Sequence, residues 1–257
     1  MKNIAIFFFP IAVSILVSCK SQPKTSESGK CTHGDAQPNE LTAEEQAAGW
    51  ILLFDGRTSN GWRGYNKSEF PSGWDISENA LHCNASGRGE AGAKNGGDII
   101  YAAKKFRNFE LSLEWKISEG GNSGIFYLAQ EIEGKPIWQS APEMQVLDNI
   151  KHRDAADSTH VAGALYDMIA APRDIVKPVG EWNQVKLIVD KGKVEHWLNG
   201  KKVVEYHLWT SDWNEMVAKS KFPKYNPHWA DVAEEGYIGL QDHGDDVWYR
   251  NIKIREL

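Results

Sequence analysis

The chain is poor in cysteine and in positive charge, and beyond its N-terminus it has no long apolar run. Three cysteines in 257 residues, at positions 19, 31 and 83, cannot staple a disulfide-dense fold, and their spacing is unlike that of a zinc site. Lys and Arg number 29 against 35 Asp and Glu, a formal charge of −6, so no cationic surplus exists to neutralise phosphates. Nucleic acid is therefore excluded as an expected partner. The sequence also lacks a Gly-x-Ser-x-Gly elbow, a His-Glu-x-x-His pair, a phosphate loop and a dinucleotide fingerprint, which sets aside serine-hydrolase, zincin and Rossmann chemistry. What it has in excess is tryptophan, 11 residues, which suits ring stacking on a carbohydrate as well as a large core.

The N-terminus reads as an export signal. Lys2 precedes an apolar run over residues 4–17, too short to span a bilayer with its flanks. The run ends in Leu16-Val17-Ser18-Cys19, which resembles a bacterial lipobox, so residues 1–18 are expected to be removed and Cys19 to be lipidated. Acyl chains would then hold the protein on a membrane of the cell envelope, facing the periplasm or the cell surface. Residues 19–46 are polar and read as a tether, leaving one domain over 47–257. In such a compartment Cys31 and Cys83 could pair.

The domain is patterned for strands. Residues 109–117 and 185–189 alternate apolar and polar, and residues 182–206 read as a three-stranded meander with tight turns at Gly192 and Asn199-Gly200. Val185, Leu187 and Val189 share its core face. The expected class is all-β, an antiparallel sandwich or barrel with short helical pieces in its loops. Thr42 and Glu45 have the spacing of a capping box on one short helix. Two long insertions, 149–177 and 209–235, carry Trp, His, Arg and Asp in place of strand patterning, as functional loops do.

Several residues could carry chemistry. On a strand over 142–148, Glu143 and Gln145 share one face; a bulge at Leu147 would add Asp148 to the row. The spacing Glu-x-Gln-x-x-Asp resembles the bulged Glu-x-Asp-x-x-Glu strand of laminarinase-type β-glucanases, although the middle and last residues differ, and a polar outer strand without chemistry carries the same pattern. Gln241 and His243 share a face opposite Ile238 and Leu240, and a His there can act as acid or base or simply hold structure. Asn122 lies in a Gly-rich turn, Gly120-Gly121-Asn122-Ser123-Gly124, able to offer an amide to a ligand. His152 and His160 lie near Asp154 and Asp157 without matching a metal-ligand template.

The ordered segments Leu53-Phe54-Asp55-Gly56, Asn108-Phe109-Glu110-Leu111, Gly121-Asn122-Ser123-Gly124-Ile125, residues 143–149, Ala162-Gly163-Ala164-Leu165-Tyr166-Asp167, Gly180-Glu181-Trp182-Asn183, residues 194–200 and Leu240-Gln241-Asp242-His243-Gly244 together resemble the bacterial 3-keto-disaccharide hydrolase family, also described as the 3-keto-glucoside 1,2-lyase and 3-keto-2-hydroxy-glucal hydratase domain. The resemblance implies a concanavalin A-like two-sheet jelly roll and a substrate sugar already oxidised at carbon 3. It implies β-elimination across carbons 1 and 2 followed by hydration, with His160 or His243 as base or acid and Glu143 and Asp148 as partner carboxylates. Gln145 and Asn122 would serve as oxyanion or hydroxyl donors, Gln241 would contact the sugar, and Trp138, Tyr166 and Trp209 would form its platform. A divalent ion such as calcium or zinc is compatible with an acidic concave face. The competing readings are a conventional glycosidase and a non-catalytic carbohydrate-binding lipoprotein.

Overall fold

In the computed structural model the described residues are Met1, 37–85 and 96–257. The apolar run at 4–17, the lipidation expected at Cys19, and Cys31 with its pairing to Cys83 all lie outside them. Cys83 itself is fully buried. No helix among the described residues is long and apolar enough to cross a membrane.

Helix α1 (Ala43–Ala47) is followed by strands β1 (Ile51–Leu52), β2 (Trp62–Gly64), β3 (Trp74–Ser77), β4 (Ala80–Cys83), β5 (Ile99–Tyr101), β6 (Phe109–Ile117), β7 (Asn122–Ala129) and β8 (Glu143–Leu147). The expected meander then supplies β9 (Asn183–Asp190), β10 (Lys193–Leu198) and β11 (Lys201–His207), and helix α2 (Ser211–Lys219) precedes β12 (Tyr237–Leu240) and β13 (Val247–Glu256). Eight strands form one antiparallel sheet in the order β11-β10-β9-β6-β13-β4-β3, with β1 also paired to β13. Five form the other, β2-β5-β12-β7-β8. This is the two-sheet sandwich expected of a concanavalin A-like jelly roll.

The alternation in the sequence sets the layers. Along β6 every second residue, Phe109, Leu111, Leu113, Trp115 and Ile117, is buried between the sheets. Val185, Leu187 and Val189 of β9 do the same from the next strand. Both meander turns put two residues at positive φ, Lys191-Gly192 and Asn199-Gly200, which is the type I′ geometry that a two-residue hairpin needs to follow strand twist.

The folded region begins earlier than the expected tether boundary. Asn39, 5% exposed, exchanges hydrogen bonds with Asn251, its amide donating to Asn251 Oδ1 and its Oδ1 accepting from the Asn251 amide at 2.8 Å. Thr42 and Glu45 form the anticipated reciprocal cap at 3.1 Å each, and the Glu45 carboxylate also pairs with Lys253. Polar residues in a low-complexity stretch hid this docking, because it is made through hydrogen bonds and not through an apolar pattern.

One polar cluster lies inside the core. The Tyr127 hydroxyl meets His196 Nε2 at 2.8 Å and the Tyr206 hydroxyl at 2.5 Å, and His196 Nδ1 lies 3.0 Å from the Gly163 carbonyl. A neutral imidazole that donates from Nδ1 and accepts at Nε2 satisfies every member. Burial pushes the His196 pKa down to about 4, with the Gly163 carbonyl opposing it weakly. Above pH 6.5 neither folded nor unfolded chain protonates this residue, so it costs nothing there; as pH falls from 6.5 towards 4 only the unfolded chain takes up the proton. Folding stability is therefore expected to fall by about 1.4 kcal/mol per pH unit in that window from this residue alone, on the order of 3 kcal/mol in total. Urea unfolding at pH 7 and at pH 4.5, compared with His196→Gln, checks it: the variant should lose one proton's worth of the slope, and an unchanged slope would show that His196 does not carry it.

Candidate active site

The five-stranded sheet holds a cleft on the face turned away from the core. It encloses about 170 Å³ and is lined by two kinds of side chain: Asn122, Glu143, Gln145, Gln241 and His243 from strand ends, and Trp138, Tyr166, Lys221, Phe222 and Tyr225 from loops.

Strand β8 supplies the first pair. Met144 and Val146 are fully buried in the core, so parity turns Glu143 and Gln145 outward. Its two edges are both occupied. On one side β8 pairs with β7 without a break, Asn122↔Leu147 through Phe126↔Glu143. On the other it bonds to the 163–166 loop, where Gly163 N donates to the Gln145 carbonyl at 2.8 Å, Gln145 N to the Ala164 carbonyl at 3.1 Å and Tyr166 N to the Glu143 carbonyl at 3.1 Å. Glu143 lies directly over Gly124: a Cβ there would fall 2.1 Å from Glu143 Oε1. The Gln145 amide reaches the Asn122 side chain at 3.0 Å and, with its nitrogen turned to the carboxylate, Glu143 Oε1 at 2.9 Å.

The turn after β12 supplies Gln241 and His243. Asp242, fully buried, points the opposite way and accepts from Gly97 N (2.7 Å) and Gly244 N (2.9 Å), which fixes the turn so that its neighbours face the cleft. Gln241 Oε1 is buried and has no hydrogen-bonding partner among the described residues, an acceptor left for a ligand hydroxyl. Burial lowers the His243 pKa; His152, edge-on at 6.2 Å, lowers it further, while Asp245 and Asp154 oppose the shift. The imidazole is thus neutral at pH 7.

Three of the expected site residues are placed elsewhere. No bulge occurs at Leu147, so Asp148 stays out of the Glu143–Gln145 row; its carboxylate accepts from Gly120 N (2.8 Å), Ile150 N (2.9 Å) and Lys151 N (3.3 Å) and closes two turns. Trp209 is 41% exposed, away from the cleft, with its Nε1 donating to the Val232 carbonyl. His160 stands behind the cleft wall, its ring stacked on Tyr166 at 4.4 Å and its Nε2 3.2 Å from Asp167 Oδ1. No group of three or more His, Cys, Asp or Glu among the described residues could hold a metal ion, so the divalent ion considered from sequence finds no ligand set there.

Lys221, Phe222 and Tyr225 escaped the sequence reading. They arrive on the second insertion, which a row of aromatic rings carries to the cleft: Tyr206 stacks on Trp213 (5.4 Å), Trp213 on Trp229 (5.6 Å), Trp229 on Phe222 (4.0 Å), and Trp138 meets Tyr225 edge-on at 4.9 Å. Tryptophan-rich composition pointed to rings in this insertion, but only Trp138 of the eleven lines the cleft.

The sequence profile of a family described as the 3-keto-alpha-glucoside-1,2-lyase-like domain matches residues 49–255. A protein of Bacteroides thetaiotaomicron named 3-keto-disaccharide hydrolase is 44% identical, the match covering 97% of this chain and 98% of that one. Among solved structures, two described as putative glycosyl hydrolases of Parabacteroides distasonis are similar: one at 29% identity and a TM-score of 0.75, covering 86% of this chain and all of that one, the other at 26% and 0.61, covering 81% and 99%.

The closest steric constraint in the cleft yields a test. Gly124→Ala should keep the fold, since the obstructing atoms belong to a side chain, but it must push the Glu143 carboxylate aside. Turnover is expected to drop by at least about 100-fold with little change in melting temperature; a variant as active as the parent would show that Glu143 need not occupy its observed position.

Proposed function

Because this chain belongs to the 3-keto-alpha-glucoside-1,2-lyase-like domain family, we propose that it cleaves the glycosidic bond of sugars oxidised at carbon 3. That the chain is a carbohydrate hydrolase is supported by its family and by the 44% identical relative named 3-keto-disaccharide hydrolase. Elimination followed by hydration is supported by a single observation: among the described residues that line the cleft, Glu143 is the one carboxylate. A retaining glycosidase needs a second carboxylate about 5–5.5 Å from the first, and an inverting one needs it about 6.5–9.5 Å away. Asp148, the natural candidate, is spent on backbone amides.

One base suffices for elimination. A ketone at carbon 3 acidifies the hydrogen on carbon 2, and the Glu143 carboxylate takes that proton. The carbon 1–oxygen bond then breaks as the carbon 1–carbon 2 double bond forms, and the departing oxygen receives the proton back from Glu143. In the second stage water adds to carbon 1, the neutral His243 imidazole takes its proton, and the imidazolium, after exchange with solvent, returns one to carbon 2. Gln241, Gln145 and Asn122 orient the ring through its hydroxyls, and Trp138 offers it a ring face. The same reading keeps the export signal, the lipid anchor at Cys19 and a cell-envelope location as expectations of the N-terminal sequence.

Offering one glucoside with and without prior oxidation at carbon 3 tests the reaction. Release of the aglycone only from the oxidised form, with deuterium from heavy water at carbon 2 of the product, is expected; cleavage of both forms at similar rates overturns it. Glu143→Gln should lower kcat at least about 1,000-fold. Since burial and His152 hold the His243 pKa below its usual 6.5, the rate of hydration of the enone should stay flat down to below that pH before falling. Asp245→Asn, which removes a carboxylate favouring the imidazolium, should move that acid limb lower still.

A further inference from the structure

The elimination carries one electrostatic demand, a compensating positive charge, that the cleft's carboxylate and neutral amides do not supply. As carbon 2 loses its proton, the electron pair of the carbon–hydrogen bond becomes the carbon 2–carbon 3 double bond. The carbonyl pair moves onto the carbon 3 oxygen, which turns anionic. This happens in a small cleft that already contains Glu143, 5% exposed, where water screens charge poorly. The imidazole of His243 is neutral and supplies no compensating charge.

Among the described residues, Lys221 is the one Lys or Arg lining the cleft. Its partners among the described residues are unusual for a lysine: Nζ donates to the Tyr166 hydroxyl at 3.0 Å, lies 4.3 Å from the centre of that ring, and stands 5.8 Å and 6.0 Å from the Phe222 and Trp138 ring centres. Among the described residues its Nζ meets rings and the Tyr166 hydroxyl and no carboxylate within ion-pair distance. Ring faces partly repay the desolvation of an ammonium but do not neutralise it, so a full positive charge faces the ligand space with donor capacity left over, since an ammonium has three hydrogens. The backbone beneath is fixed: Lys221 N donates to Asp167 Oδ2 at 2.7 Å, and Asp167 Oδ1 is taken by His160. Burial alone would raise the Asp167 pKa; the hydrogen bonds from His160 and Lys221 and their charges outweigh it and hold the carboxyl ionised. Phe222, next in sequence, is locked against Trp229 at 4.0 Å.

Building on the elimination reading, we propose that Lys221 binds the carbon 3 oxygen, as a carbonyl in the bound substrate and as the enolate oxygen after proton removal, and is therefore the residue by which the enzyme distinguishes a 3-keto sugar from an ordinary one. The step balances: the proton goes to Glu143, the electron pair to the oxygen held by Lys221, and the pair returns when the carbon 1–oxygen bond breaks. No redox partner is required, because the ketone arrives already formed. The supplier of the substrate is then a dehydrogenase or oxidase acting on carbon 3 of a glycoside. His160 and Asp167 act through Lys221 and Tyr166 and are positioning residues, not catalytic ones.

The test uses the full-length protein with methyl 3-keto-glucoside and methyl glucoside as probes. Lys221→Met keeps the side-chain length without charge, and Lys221→Arg keeps the charge. Lys221→Met is expected to lose at least about 100-fold in kcat/KM, mostly in kcat, as removal of an oxyanion donor does, and Lys221→Arg to recover a substantial part. In a Glu143→Gln background, where the proton is not removed, the protein with Lys221 should bind the ketone more tightly than the alcohol, and Lys221→Met should erase that preference. Turnover by Lys221→Met within about threefold of the parent, in a protein that Glu143→Gln inactivates, overturns the Lys221 assignment and leaves the elimination standing. Failure of the parent itself to turn over the oxidised probe overturns both.

Discussion

Strand β8 can expose Glu143 and Gln145 to the cleft only because both of its edges are hydrogen-bonded. It is the last strand of its sheet, and a bare edge would invite register slip, which for a period of two would exchange the outward Glu143 and Gln145 for Met144 and Val146. The 163–166 loop occupies that edge as a surrogate strand. The Gly163 carbonyl at its start is gripped by His196 from the opposite sheet, so the Tyr127–His196–Tyr206 cluster fixes the loop and the loop fixes the strand. A buried polar cluster of this kind is costly unless every member is satisfied. Here each is, and what it contributes is register: the carboxylate, its amide neighbour and Tyr166 are all held by one set of backbone bonds.

The tryptophan excess resolves into two uses. Trp115, Trp213, Trp62, Trp74 and Trp229 are core residues, each no more than 5% exposed. Trp213 and Trp229 belong to a ring-on-ring row that starts at Tyr206, in contact with the His196 cluster, and ends at Phe222 beside the cleft. Stacked rings of this sort add about 0.5–1.5 kcal/mol per pair beyond area burial. That suffices to keep a mostly irregular insertion of polar sequence in one place, where loops of such length otherwise sample many positions. The cluster and the ring row meet at Tyr206, so the two walls of the cleft, one strand-borne and one loop-borne, are referenced to the same point in the core.

The layers of the sandwich were legible because alternation in β6 and β9 has a single physical reading, one face in and one face out. The same parity argument turned Glu143 with Gln145, and Gln241 with His243, to outward faces, and all four line the cleft. Asp148 was not, since extending parity past the end of a strand required a bulge, and a short acidic side chain after a strand is equally suited to collecting the amide protons of a turn, as Asp148 does. Trp209 was offered as a sugar platform on residue type alone, and its indole N–H found a backbone carbonyl instead. Lys221 carried no local signal: a lysine in a Lys-Phe-Pro-Lys-Tyr stretch becomes meaningful only when a distant ring row sets Phe222 into the fold and Asp167 catches the Lys221 amide.

The charge pattern of the cleft bears on why a hydrolytic fold would take an eliminative route. Direct displacement at carbon 1 develops positive charge on the ring, which a pair of carboxylates stabilises and a neighbouring ammonium opposes. Removal of the proton from carbon 2 develops negative charge on the carbon 3 oxygen, which an ammonium stabilises and a second carboxylate would oppose. A cleft whose described lining holds one carboxylate, one ammonium among rings and a neutral imidazole is matched in sign to the second route and mismatched to the first. At separations of a few ångström in a poorly screened site, such a sign difference changes barriers by several kcal/mol. The arrangement of charge, more than the sandwich that holds it, is therefore what would commit this member to a substrate that already contains the ketone.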